Sequence, residues 1–373
     1  LFRIRGNEGL RGISGRCAGK SNLKFILQEI MLNNIFNNKK TVFIAEIGLN
    51  HNGDAALAEE MIVKAAEAGA DAVKFQTFVP EKMNSPYTSS LLKTGEEKDP
   101  DYGIIDFFRK FSFTETQWIR LKEISEKCRT EFFSAPFDAE SVELLERLNV
   151  KLYKIASSEV TNTPLIRKIG ATRKPVLLST GMTSESDIEL SLKNLKESGN
   201  GETHLLHCVS LYPAAKNEAN LKRIVSLRER FGIPAGLSDH TGDYQSAVIA
   251  AALGATVIEK HFMIDRNQDC PDKDVSLTAE SFREMIEKVN ETLAILGDGK
   301  IPYSGRESDT ARAARKSLFA SKKINAGEII SADSIIALRP GTGISPNMID
   351  DMTGKKSKIE INEGSLLKWE YFE

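Results

Sequence analysis

The sequence predicts an α/β protein, a closed (β/α)8 barrel followed by a small β-rich module. Three observations carry this. From residue 41, short β-rich runs alternate with helical patterns, and eight such units fill about 260 residues, the usual span of that barrel. No GxGxxG follows the first strand, where a doubly wound nucleotide-binding sheet would place it. Past residue 315 the alternation stops and Gly-containing turns separate short β-rich runs.

The elements follow in order. Residues 1–40 are set apart as an N-terminal extension: residues 1–30 begin without Met, are basic and rich in Gly and Ser, and show no sustained period, so Met31 is the expected start. The strands read TVFIAEIG (41–48), DAVKFQTF (71–78), EFFSAPF (131–137), KLYKIASS (151–158), PVLLSTG (175–181), HLLHCVS (204–210), PAGLSDH (234–240) and TVIEKHF (256–262). Between them, Asp54 is placed to cap and Gly69 to stop one helix, Thr183 or Ser184 to cap another, and an Ala-rich run ends at Gly254. The barrel is bounded at 41–303, an exposed linker at 304–315, and the β-rich module at 316–373.

Composition excludes several classes of function. Among 373 residues, 50 basic against 52 acidic side chains leave a net charge of -2, without the basic excess of a nucleic-acid-binding surface. Cys17, Cys128, Cys208 and Cys270 lie far apart with no CxxC, which argues against a disulfide framework or structural zinc and for a cytoplasmic location. Nothing reaches the 18 or so apolar residues of a membrane span.

The eighth strand raises the question of function. A buried parallel strand usually reads as a Val/Ile/Leu run, and charge taken out of water is costly unless paired or metal-bound. TVIEKHF instead carries Glu259, Lys260 and His261. AAEAGADAVKFQ and AAALGATVIEKH align at their Gly-Ala pairs, matching Lys74 to Glu259 and Gln76 to His261. Side-chain alternation puts both pairs on one face near the C-terminal strand ends, where such barrels gather their active sites.

His240 ends the seventh strand and His261 the eighth, and neighbouring strands lie about 4.8 Å apart. Two strand-end imidazoles suit one divalent ion with positions left for water and substrate, Mn2+ or Mg2+ rather than closed zinc. A single strand-end His is more often structural, and His204 and His207 are read that way. Lys74 and Lys154 suit a phosphate or carboxylate; the alternative is pairing with a nearby Glu. Ser134, Ser179 and Ser238 add strand-end hydroxyls that also serve as ordinary turn formers. Glu46, Glu159, Asp239 and Asp272 are the acidic candidates, Asp239 in an orienting or capping role. Lys154 and the Ser157/Glu159 pair share one site only if the fourth strand ends or bulges between them.

The stretches AEIGLNHNGD, VKFQTF, YKIASSEVTNTPLI, LLSTGM, HCVSLYP, GLSDHTGD, EKHF, Pro271-Asp272 and RPGTGISP, in this order from residue 41 to the C-terminus, resemble the sialic acid (N-acetylneuraminate) synthase family. The resemblance implies a (β/α)8 TIM barrel fused to an antifreeze-like (SAF) domain. It implies a domain-swapped homodimer in which Arg339 touches the acceptor sugar in the partner's barrel. By the same resemblance His240 and His261 bind a divalent metal, typically Mn2+, with Mg2+ or Co2+ as substitutes. Lys74, Lys154, Ser157, Ser179 and Ser238 match positions that hold phosphoenolpyruvate, and Gln76, Glu159, Tyr212 and Asp272 match positions around an N-acylated amino sugar. Glu46 or Glu159 assists proton transfer.

The expected reaction is condensation of phosphoenolpyruvate with N-acetylmannosamine, releasing phosphate. Departures from the family at Ala135, Ser210 and Cys270 keep open an N,N'-diacetyllegionaminate or other nonulosonic acid synthase. A Schiff-base aldolase using Lys74 or Lys154 and a non-catalytic carbohydrate-binding protein are the rivals from other classes. Residues 79–108 are expected over the barrel mouth.

Overall fold

The computed structural model describes residues 41–85, 103–301 and 305–373. The expected extension at 1–40 lies outside these residues, as do positions 86–102 of the segment expected over the mouth. The described residues form two compact units divided after Gly297.

In the first unit β1 (Val42–Gly48), β2 (Ala72–Thr77), β3 (Glu131–Pro136), β4 (Tyr153–Ile155), β5 (Val176–Ser179), β6 (Thr203–Cys208), β7 (Ala235–Asp239) and β8 (Val257–Met263) pair in parallel and in order, and β1 closes on β8. The helices that follow them are α1 (Ala55–Ala68), α2 (Glu115–Cys128), α3 (Ala139–Arg147), α4 (Thr163–Ala171), α5 (Glu185–Glu197), α6 (Arg223–Phe231), α7 (Gln245–Ala252) and α8 (Ala279–Leu296), the last preceded by the two-residue strand β9 (Leu277–Thr278). Local chemistry sets their ends. The Asp54 carboxylate accepts from the amides of Ala56 and Leu57, and Gly69 stops α1 at φ 98°. Ser184, not Thr183, caps α5 in a capping box with Asp187. Each such cap is worth about 1 kcal/mol.

Alternation along the strands divides the core in two. Outward residues such as Phe43, Val73, Phe75, Tyr153, Leu205, Ile258 and Phe262 pack under the helices. Inward, Val42, Ile44, Ala72, Phe133, Leu152, Leu177, Leu206 and Val257 form a dry plug. The next inward positions toward the C-terminal strand ends include Glu46, Lys74, Lys154, Ser179, Ser238 and Glu259, with Ala135 on β3 and Cys208 on β6, so the plug is the floor of a largely polar site. Parity also corrects one expectation: Phe133 points inward, hence Ser134 faces outward, where its hydroxyl meets Thr77 Oγ1 at 2.7 Å.

The second unit contains α9 (Arg306–Ala314) and the antiparallel pair β10 (Ser317–Ala320) and β11 (Ile335–Leu338), with a core that includes Leu318, Ile324, Ile330, Ile361 and Leu367. Much of the stretch expected as a linker is therefore helical, and the Arg312 carbonyl of α9 accepts from the Gly341 amide at 2.8 Å. Among the described residues no helix is long and apolar enough to cross a membrane.

Candidate active site

Register assembles the site. Glu46 on β1 lies level with Lys74 on β2 and with His261 on β8, and the β1–β2 register slips between Glu46 and Gly48. Such bulges re-aim side chains next to active sites. Gly48 turns at φ 53°, and a β-carbon there would sit 3.0 Å from Glu46 Oε1, 3.3 Å from Gln76 Nε2 and 3.5 Å from Asp272 Oδ2. Three candidate residues thus converge on one glycine. The two aligned motifs are staggered: through β1, Lys74 stands level with His261 rather than with Glu259, as the shear of a closed barrel requires.

A buried charge network lies on the plug. Lys74 Nζ is 2.8 Å from Glu46 Oε2 and 3.9 Å from Glu259 Oε1, while Gln76 Nε2 donates to Glu46 Oε1 at 3.0 Å. Lys154 Nζ and Ser238 Oγ donate to Glu259 Oε1 at 3.1 and 2.8 Å. Burial disfavours the Glu259 carboxylate, yet Lys154, Lys74 and Ser238 together hold it down at about 2. For Lys74, burial is outweighed by Glu259 and Glu46, and its pKa rises. For Lys154, burial prevails over Glu259, Lys74 repels it, and its pKa falls. The unequal shifts of the Lys154–Glu259 pair follow from one carboxylate serving two lysines. Two ammonium groups thus share Glu259, which suits them to accept an anion in its place.

The imidazoles stand beside this network. His240 and His261 have ring centroids 5.3 Å apart, Tyr212 stacks on His240 at 4.1 Å, and it meets His261 edge-on at 5.7 Å. His240 Nδ1 lies 2.8 Å from the Val209 carbonyl. A carbonyl only accepts, so Nδ1 carries the proton and Nε2 keeps its lone pair, the arrangement found in metal-binding histidines. The buried Nδ1 of His261 lies 3.3 Å from Asp272 Oδ2. Two imidazole nitrogens with a carboxylate nearby fit a six-coordinate divalent ion; the protein residues alone form no complete set of three ligands among those described.

On the β4–β6 side, β4 ends at Ile155 and Ser157–Glu159 forms a 3-10 turn, which resolves the parity conflict with Lys154. The Gly181 amide donates to Ser157 Oγ at 3.0 Å, and the buried Ser179 hydroxyl has no hydrogen-bond partner among the described residues, as an open ligand-binding group would. Glu159 is held by Asn162 and Ser158 at 2.7 and 3.1 Å. Hydrogen bonds and ion pairs therefore join Glu46, Lys74, Gln76, Lys154 and Ser238 through Glu259. Ring contacts and the approach of Asp272 join Tyr212, His240, His261 and Asp272. Glu46 and His261 lie level on neighbouring strands, and Ser157 and Ser179 stand at neighbouring strand ends. Arg339 is exposed in the second unit.

The sequence reading undervalued two groups. Glu259, placed there on the mouth-facing side of its strand but given no role, is the hub of the network. Cys208 was missed. Its even parity with the inward Leu206 carries it to the mouth, with Sγ 3.7 Å from His240 Nδ1, and although burial pushes its thiol up, His240, Lys154 and Ser157 bring it down to about 7. Lys260, the other charged residue before His261, points outward and pairs with Asp239 at 2.9 Å in full burial. His207 is structural, with Nε2 2.7 Å from the Ala219 carbonyl.

Residues 61–301 match the NeuB family and residues 315–373 match the SAF domain. The chain belongs to the NeuB family. Its barrel and antifreeze-like domain are those the sequence motifs implied. Within the family it is 38% identical over 88% of its length to the N,N'-diacetyllegionaminic acid synthase of Campylobacter jejuni, 99% of which is covered. It is 36% identical over 91% of its length to a pseudaminic acid synthase of the same species, 98% of which is covered. The crystal structure of the N-acetylneuraminic acid synthetase of Leptospira borgpetersenii, in complex with citrate, superposes with a TM-score of 0.65 at 33% identity, covering 73% of this chain and 90% of that one. As a NeuB-family enzyme the protein is a phosphoenolpyruvate-dependent transferase that forms a C–C bond in a condensation of the nonulosonic-acid-synthase type.

Proposed function

We propose that the acceptor is a 2,4-diacetamido-6-deoxy sugar, giving a legionaminic- or pseudaminic-type acid, in place of the N-acetylmannosamine expected from the sequence alone. The observation that carries this is the likeness over nearly full length to the two Campylobacter synthases, at 38% and 36% identity. An apolar cluster is consistent with it: Leu49, Phe78 and Phe111, with Phe107, Phe108 and Phe137 against them, follow the ends of β1, β2 and β3. A 6-methyl group is matched by such a surface, whereas a 6-hydroxyl placed there would lose its hydrogen bonds.

In this reading Lys74, Lys154, Ser157, Ser179 and Ser238 hold the phosphate and carboxylate of phosphoenolpyruvate. Gln76, Tyr212 and Asp272 orient the amino sugar. His240 and His261 would hold the divalent ion, which when bound supplies Lewis-acid polarisation of the sugar aldehyde. The enol carbon joins the aldehyde carbon, water adds at the cationic carbon 2, and phosphate leaves by C–O cleavage. Glu46, within the network and bonded to Gln76, takes the proton of that water; Glu159, bound by its turn, is assigned to positioning the sugar. Arg339 is proposed to serve the barrel of a partner copy in a homodimer.

Phosphate release with phosphoenolpyruvate and Mn2+ tests the acceptor. Turnover efficiency at least tenfold higher with the diacetamido sugar, about 1.4 kcal/mol of transition-state binding, is expected. A tenfold preference for N-acetylmannosamine would overturn the proposal. Chelation should abolish turnover with either sugar.

A further inference from the structure

Asn50, in the loop after β1, has no part in the reaction described above, yet it is fully buried and its side-chain amide is hydrogen-bonded through both nitrogen and oxygen. Asn50 Nδ2 donates to the Phe262 carbonyl of β8 at 2.9 Å and to Ser276 Oγ at 2.8 Å. Its Oδ1 accepts from the Asp272 amide at 3.0 Å. Ser276 Oγ in turn donates to the Asp272 carbonyl at 2.7 Å, and Gln268 Nε2 donates to the Asn50 carbonyl at 2.7 Å. Two residues on, Asn52 Nδ2 donates to the Asp269 carbonyl at 2.6 Å.

These bonds run between the loop after β1 and the segment between β8 and β9. In that segment the only regular element among the described residues is the single turn Lys273–Val275, which by itself does not fix Asp272. Asp272 Oδ2 nevertheless lies 3.3 Å from His261 Nδ1. The Asn50 amide grips the backbone on both sides of that contact, at Phe262 beside His261 and at Asp272 itself. We infer that Asn50 is a positioning residue that sets Asp272 against His261, so that its effect on the reaction passes through Asp272. The inference rests on the assignment of Asp272 to the acceptor and of His261, which it approaches, to the divalent ion.

A double-mutant cycle separates this role from simple stabilisation. Acceptor KM and kcat, and Mn2+ affinity from the electron paramagnetic resonance of unbound Mn2+, are measured for the wild type, Asn50→Ala, Asp272→Ala and the double variant. Outer partners of such sites typically account for about 10–100-fold in affinity. Asn50→Ala should therefore raise acceptor KM and the Mn2+ dissociation constant about tenfold, and change either by less than about twofold once Asp272 is already Ala. Equal losses in both backgrounds, or no loss in the first, would overturn the inference. If Asp272→Ala alone changes neither constant, the role given to Asp272 fails first and takes this inference with it. Should Asn50→Ala not fold, Ser276→Ala, which removes one tie and leaves Asn50, runs the same cycle with the same criteria.

Discussion

Replacing Glu259 by Gln keeps its shape and removes the one charge that two lysines share. The carboxylate lies at about 2 against an ordinary 4.5, so the folded barrel favours its charge by about 3 kcal/mol even after burial has opposed it. Breaking a buried pair from one side costs a similar 3–5 kcal/mol, because the remaining charge is stranded. Lys154 limits that cost by releasing its proton, which its lowered pKa makes easy. A loss of about 3 kcal/mol follows, or roughly 6–12 °C in Tm for a barrel of this size. Tryptophan fluorescence reads the barrel selectively, since Trp118 is buried under β2 and β3 while Trp369 of the second unit is 43% exposed. The deficit should narrow as rising pH takes the proton from Lys154, whose pKa is lowered by burial, and phosphoenolpyruvate should stabilise the variant more than the wild type by supplying the missing anion. A variant within about 1 kcal/mol of the wild type at pH 7.5 would refute the account.

Other outcomes follow from the same geometry. Wild-type stability should fall as pH drops from about 4.5 toward 2, because Glu259 has its pKa depressed on folding; Glu259→Gln should lack about 3 kcal/mol of that slope in a denaturant series across pH. Gly181→Ala should lower kcat/KM for phosphoenolpyruvate at least about tenfold with little change in Tm, since a β-carbon there would lie 2.3 Å from Ser210 Oγ and 2.8 Å from Ser157 Oγ and only side chains need shift. Inactive Arg339→Ala chains mixed with inactive His261→Ala chains should regain activity through one hybrid site; no recovery in verified heterodimers would place Arg339 outside the partner's site.

The fold and much of the site were legible because a strand has a period of two. Once eight strands were counted, parity put Lys74, Gln76, Glu259 and His261 on one face, while position at a strand end picked out Glu46, Lys154, Ser179 and Ser238. Parity failed where neighbouring positions carried no contrast. In EFFSAP both faces of β3 are buried, one against the plug and one against the helices, so nothing in the residue types told Phe133 from Ser134. Charge was no safer a guide than polarity. Glu259 and Lys260 are adjacent, charged and buried, yet one is the hub of the site and the other closes an ion pair with Asp239 behind the two histidines. Only strand closure separates them, because it fixes which parity faces in. Asn50 lay beyond any local pattern: its bonds reach Phe262 and Asp272, more than 200 residues away, and become visible only when β8 returns to β1. What a buried polar residue does in this barrel is therefore decided by the partner that closure brings to it.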